Sequence, residues 1–129
     1  NFKKRGLSGS TYKDILDAIK LFDMNRPLSH IKKIKIIKGD IKYTAKKFLK
    51  KNPHTIISLL YLDLDLFEPT KFAIKNFYPL MTKGSIIAFD ELNLKNYPGE
   101  TVALKKTLGL NNLKLNRFTI DPAISYIKI

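Results

Sequence analysis

Two apolar runs of one kind stand mid-chain, Ile56-Ile57-Ser58-Leu59-Leu60-Tyr61-Leu62 and Ile86-Ile87-Ala88-Phe89, and each runs into acids. The first meets Asp63 and Asp65, the second Asp90 and Glu91. A near-continuous apolar run of this length predicts a strand buried on both faces, as in a parallel sheet. Parallel neighbours need a crossover. Residues 69–81, with Phe72, Ile74, Phe77, Tyr78 and Leu80 as apolar surface, predict a helix long enough to supply it. Strands over 55–65 and 85–89 then end on one edge, where open α/β sheets bind ligands.

The flanking pattern extends this scheme. Residues 1–10 are basic with Gly and Ser, and read as a loop or flexible end. Ser10 or Thr11 can cap a helix over 12–22, whose stripe is Ile15, Leu16, Ile19 and Phe22. Asn25-Arg26-Pro27 ends it. Residues 33–38 predict a strand closed by Gly39-Asp40, and 44–51 a short basic helix with Phe48 and Leu49 inward. Glu68-Pro69-Thr70 opens the crossover helix, and Thr82-Lys83-Gly84 reads as its stop. Residues 92–99 predict a loop over the acidic edge, and 100–108 a helix closed by Gly109. Residues 113–120 and 124–129 predict an antiparallel hairpin about the turn 121–123. The 129 residues suggest one domain.

Composition changes the picture in two places. Cysteine is absent, which removes disulfides and thiolate zinc sites and fits a reducing cytoplasm. No apolar stretch reaches membrane-spanning length, and the basic start is not followed by the apolar region of a signal peptide. The formal net charge of +13 points to an anionic partner or to a solvated lysine surface. The lysines are dispersed, and the arginines that make forked contacts to bases are three: Arg5, Arg26 and Arg117. Phe and Tyr fall mostly within apolar stripes rather than between lysines. A basic nucleic-acid-binding domain is therefore the alternative, not the first reading.

The acids carry the chemistry. Five of the eleven (Asp40, Asp63, Asp65, Asp90 and Glu91) fall at expected strand C-termini. Alternation would send Asp63 and Asp65 to one face. Carboxylates brought together repel unless a cation lies between them. Oxygen donors without His or Cys suit Mg²⁺ or Ca²⁺ better than zinc. Helix capping, or salt bridges to nearby lysines, is the competing explanation, above all for Asp65 and Glu68. His30 and His54 have no second histidine at ligand spacing.

The sequence Tyr61-Leu62-Asp63-Leu64-Asp65-Leu66-Phe67-Glu68-Pro69-Thr70, with Phe77-Tyr78-Pro79-Leu80, Lys83-Gly84 and Ile86-Ile87-Ala88-Phe89-Asp90-Glu91, resembles the macrocin O-methyltransferase family. Its members are class I S-adenosylmethionine-dependent enzymes that methylate sugar hydroxyls. The resemblance covers about residues 31–129. It implies an α/β fold: a Rossmann-like class I methyltransferase sheet, mostly parallel, with an antiparallel C-terminal hairpin and without the first two strands. It implies Mg²⁺ held by Asp63, Asp90 and Glu91, the last standing where relatives often have Asp. Asp63 or Asp65 becomes a candidate general base, and Gly39, Asp40 and Asp63 candidates for contact with S-adenosylmethionine. The implied substrate is a small-molecule sugar, and the excess of lysines adds the expectation of a nucleotide-linked deoxysugar.

The departures bear on activity. The family's first strand, its glycine-rich cofactor loop and the acid that binds the ribose hydroxyls do not occur in these residues. The chain is therefore expected to be the C-terminal part of a larger enzyme lacking its N-terminal segment, or to have its sheet rearranged or completed by another chain, as in a homo-oligomer. Alone it is expected to bind cofactor poorly and not to turn over. An inactive module that assembles through open sheet edges is a third reading.

Overall fold

The computed structural model describes residues 11–121 and 123–129. The expected flexible end, 1–10, and Pro122 of the 121–123 turn lie outside them. The chain divides into two compact units, one ending at Ile37 and one running Lys38–Ile129.

The first unit holds helix α1, Tyr12–Met24, two residues longer than the apolar stripe predicts. Thr11 caps it reciprocally: its hydroxyl accepts from the Asp14 N–H at 3.2 Å, and the Asp14 carboxylate accepts from the Thr11 N–H at 2.8 Å. No residue of α1 is buried. Arg26 then organises the following loop, pairing with Asp23 at 2.6 Å and donating to the Leu28 carbonyl at 2.9 Å. The expected strand over 33–38 is not one, and Ile34 and Ile37 stay exposed. Apolar alternation suits a strand, but only a ladder partner makes one, and no strand among the described residues pairs with this stretch.

The second unit is built on a four-stranded mixed sheet: β1 (Ile57–Leu62), β2 (Met81–Phe89), β3 (Leu115–Arg117) and β4 (Ser125–Lys128), in the order β1-β2-β4-β3. The expected parallel pair forms between β1 and β2. The expected hairpin forms too, β4 pairing antiparallel with both β3 and β2. Helices α2 (Ile41–Lys51), α3 (Phe67–Phe77) and α4 (Gly99–Thr107) complete the unit, with a 3₁₀ turn at Tyr78–Leu80. Leu62, Ala73, Ile74, Ile87, Phe89, Leu92, Ala103, Leu104 and Ile127 form the core.

Three expectations change. Residues 82–84 do not stop a helix but belong to β2. Between Ile57 and Leu59 the partners jump from Met81 to Ile86, a bulge that Gly84 accommodates at φ +92°. The Ser85 hydroxyl ties that bulge to the Ile57 carbonyl at 3.0 Å. Second, β1 is an edge strand buried on one face only: Leu62 is 2% exposed, but Leu59 is 59% and Tyr61 46%. Third, β1 ends at Leu62, so the strand alternation expected to align Asp63 with Asp65 does not extend to them.

The helix starts then position the strand ends. Pro98 precedes α4, and Gly99 lies so close to the β1–α3 connection that a Cβ there would meet the Asp65 carbonyl oxygen at 2.1 Å and the Phe67 nitrogen at 2.6 Å. Both neighbours are backbone atoms and cannot swing aside. The expected result of Gly99→Ala is therefore a loss of roughly 1–3 kcal/mol in urea unfolding; an unchanged midpoint and slope would contradict this contact.

Candidate functional site

The parallel register decides which acids meet. Leu62 is opposite Phe89, and the Asp90 N–H donates to the Leu62 carbonyl at 3.0 Å. Asp63 and Asp90 therefore leave adjacent strands at the same level, as the sequence predicts. Asp65 follows with φ +54°, in the left-handed region, which aspartate tolerates better than most residues and which turns the chain sharply toward α3. Glu91 follows Asp90 into the loop that leads to α4.

Two residues not singled out from the sequence complete the rim. The Tyr61 hydroxyl, one position back along β1's open face, donates to Asp90 Oδ1. Glu100, in the first turn of α4, is fully buried and reaches both strand ends. Its Oε1 accepts from the Leu64 N–H at 3.1 Å and its Oε2 from the Glu91 N–H at 3.2 Å. Beside it the Thr101 hydroxyl accepts from the Asn93 N–H at 2.7 Å. In the sequence Glu100 looks like an ordinary acid at a helix start, favoured there by the dipole; nothing local shows that it is buried.

Burial first, and like charge after it, shape the electrostatics of the carboxyls. The Asp63 carboxyl is held above the usual carboxylate value by burial, then by the charges of Asp90 and Asp65. Glu91 is raised by burial and by Asp65, Asp90, Glu100 and Asp63. Glu100 is raised by burial; its two N–H donors oppose this, and Asp90 and Asp63 add to it. Tyr61 is pushed up to about 12, first by its hydrogen bond to Asp90, then by burial and the nearby acids. The ion pairs among the described residues lie elsewhere, Lys20 with Asp17, Arg26 with Asp23 and Lys71 with Glu68. Glu68 is thus explained by its lysine, while the rim acids are not.

Whether the rim fits a cation has a mixed answer. Its donors are all hard oxygens, and Glu91 Oε2 is buried without a hydrogen-bond partner. Yet among the described residues no group of three or more His, Cys, Asp or Glu side chains is arranged to hold a metal ion. Asp63, Asp90 and Glu91 share a rim but not a ligand shell. Asp40, expected near a cofactor, caps α2: its Oδ1 accepts from the Lys42 N–H at 2.8 Å, and Gly39 before it sits at φ +134°.

No protein-family model matches the chain, and no curated protein matches it either. Solved structures do. The apo structure of CalS11, a TDP-rhamnose 3′-O-methyltransferase of calicheamicin biosynthesis, is 36% identical with a TM-score of 0.82, covering 90% of this chain and 50% of that one. A second structure of CalS11, described as a calicheamicin methyltransferase, gives 36% and 0.82 over 93% of this chain and 48% of that one. The O-methyltransferase NovP shares the fold, at 20% identity and a TM-score of 0.68, over 92% of this chain and 44% of that one. The fold is thus the α/β fold of sugar O-methyltransferases, and the chain spans about half the length of the structures it matches. The similarity is to these enzymes; the narrower macrocin family is not confirmed.

The raised Asp63 carboxyl has a consequence for stability. A carboxyl whose folded pKa is raised keeps its proton to higher pH in the folded state than in the unfolded one. Stability is then lost as pH rises from the unfolded value through the folded one. Asp63→Asn removes this cost. Its melting temperature should exceed that of the wild type by about 1–4 °C at neutral pH. The gain should vanish below about pH 3.5, where both forms are neutral. A lower melting temperature at neutral pH would contradict the burial and repulsion that raise the Asp63 carboxyl.

Proposed function

We propose that this chain is part of an S-adenosylmethionine-dependent O-methyltransferase acting on a sugar hydroxyl. The observation that carries the reading is the 36% identity to a sugar O-methyltransferase across 90% of the chain. Supporting it is a rim of carboxylates at the C-terminal end of a parallel strand pair, where α/β sheets place their chemistry.

S-adenosylmethionine, when bound, supplies a methyl group on a positive sulfur, open to in-line attack by an oxygen. The residues here act on that oxygen. Asp63 takes the hydroxyl proton, and its raised pKa makes it a better acceptor than an ordinary carboxylate. Asp65, one turn along, is the second candidate base. Tyr61 holds Asp90 in place through its hydroxyl. Loop 92–99 contacts the acceptor and helps to fix it in line, a large part of the rate in such transfers. Gly39 and Asp40 are the cofactor contacts proposed within this sequence, Asp63 being a third. A glycine-rich loop does not occur in it, so the complete cofactor site belongs to more than these residues. Holding Mg²⁺ would require Asp63, Asp90 and Glu91 to draw together from a shared rim into one ligand shell; so held, it would lower the hydroxyl's pKa, and no step here depends on it.

The lysine-rich surface, with 24 basic against 11 acidic residues, suits a nucleotide-linked deoxysugar, the class named for CalS11. Among the described residues no helix is long and apolar enough to cross a membrane, and a cytoplasmic location is part of the proposal. The nucleic-acid alternative has one observation of its own, a cleft between α2 and α3 lined by Lys42, Lys46, Lys71 and Lys75 with Tyr43 and Phe72. Glu68 lines it too and pairs with Lys71, and Lys46 lies over the Phe72 ring, so it is no bare row of cations.

In the intact enzyme, Asp63→Asn should lower methyl transfer by about 10²–10⁴-fold with an unchanged circular dichroism spectrum. Undiminished transfer would remove Asp63 as base. Chelation in the same assay separates the metal: loss of turnover restored by Mg²⁺ supports the ligand role, and unaffected turnover removes it.

A further inference from the structure

Glu100 stands out among the buried groups. Its side chain is fully out of solvent, and among the described residues it has no cationic partner. Burying a carboxylate costs several kcal/mol unless hydrogen bonds offset it. A leucine or methionine would fill the same volume without that cost. What an apolar side chain lacks is two acceptors at the end of one rigid group. Each of the two oxygens here takes one backbone N–H, from Leu64 at 3.1 Å and from Glu91 at 3.2 Å. Leu64 lies between Asp63 and Asp65, and Glu91 directly follows Asp90.

We propose that Glu100 is the positioning residue of the acidic rim: its carboxylate locks the turn after β1 to the turn after β2, and so sets Asp63 relative to Asp90. The surroundings are built for this reach. Gly99 brings the start of α4 against the Asp65–Phe67 backbone, where a side chain would not fit. Thr101 holds the next stretch of the β2–α4 loop through Asn93, so consecutive residues of one helical turn grip it. Asp63, Asp90 and Glu91 face Glu100 with like charge, so the clamp works against repulsion. Its consequence for catalysis rests on the methyltransferase reading; its geometry does not.

Geometry is tested first, without activity. In isotope-labelled wild-type protein, nitrogen–carbon coupling across hydrogen bonds should link the Leu64 and Glu91 amides to the Glu100 carboxyl carbon. Absence of both couplings overturns the proposal, whatever any variant does. In Glu100→Gln one acceptor becomes a donor, so amide exchange at Leu64 or Glu91 should quicken about ten- to hundredfold, while Ile87 and Phe89 keep their protection. Thr101→Val should quicken Asn93 and leave Leu64 unchanged. Uniform quickening across β2 would mean a merely structural role and overturns it. In the intact enzyme, Glu100→Gln should lower kcat while leaving the KM for the methyl donor within about twofold, and Glu100→Asp, too short to reach both turns, should not restore it. An unchanged kcat overturns the proposal. Couplings present in a wild type without turnover would sink the methyltransferase reading and leave the clamp standing.

Discussion

Carboxyls brought together and part-buried on one rim are the constraint on which the site turns. The parallel pairing of β1 with β2 puts Asp63 and Asp90 at one level, because Leu62 faces Phe89 and the next N–H closes the ladder. Left alone, the carboxylates would drift apart or take up protons. Backbone hydrogen bonds keep the chain that bears them from drifting. The ladder holds one side, and the first turn of α4 holds the other through Glu100 and Thr101. Burial and like charge raise Asp63, Glu91 and Glu100, which makes them better able to accept a proton and predicts a cost in stability at neutral pH.

That trade is common at functional sites, where groups useful for chemistry are held in positions that folding alone would not choose. The core beneath the rim is ordinary by contrast. Phe89, Ile87, Ile74 and Leu104 are buried in an apolar cluster that asks only for volume and pattern. In the second unit Asp65 at φ +54°, Asn93 at φ +66° and Gly99 against backbone depart from easy geometry, as Leu28 at φ +57° does in the first. Those of the second unit lie in the segments that follow the acids' strands.

Much of this was legible in the sequence, for a physical reason. Strand and helix periodicity is a local property, so the β1–α3–β2 unit, the C-terminal hairpin and the meeting of Asp63 with Asp90 follow from apolar runs and turn residues. What depends on partners was not legible. Residues 33–38 alternate like a strand but have no ladder among the described residues. Gly84 reads as a helix stop and serves as a bulge, since both uses need the same positive φ. Glu100 was missed because an acid at a helix start already has a sufficient local explanation; only tertiary packing distinguishes a solvated dipole partner from a buried clamp. The ligand role of Asp63, Asp90 and Glu91 is where reading from residue type goes furthest beyond geometry, for a shared rim is not yet a shared shell.

The similarity to CalS11 places these features in a working fold without supplying them, since the crowding of acids follows from this chain's own register. Its most direct test is a titration of the side-chain carboxyl carbons followed by nuclear magnetic resonance. Asp63 and Glu91 should both titrate above the values of about 3.9 and 4.3 that free aspartate and glutamate side chains show. Titration of both at or below those values would mean that neither burial nor crowding acts on these carboxyls, and the account of the site would fail.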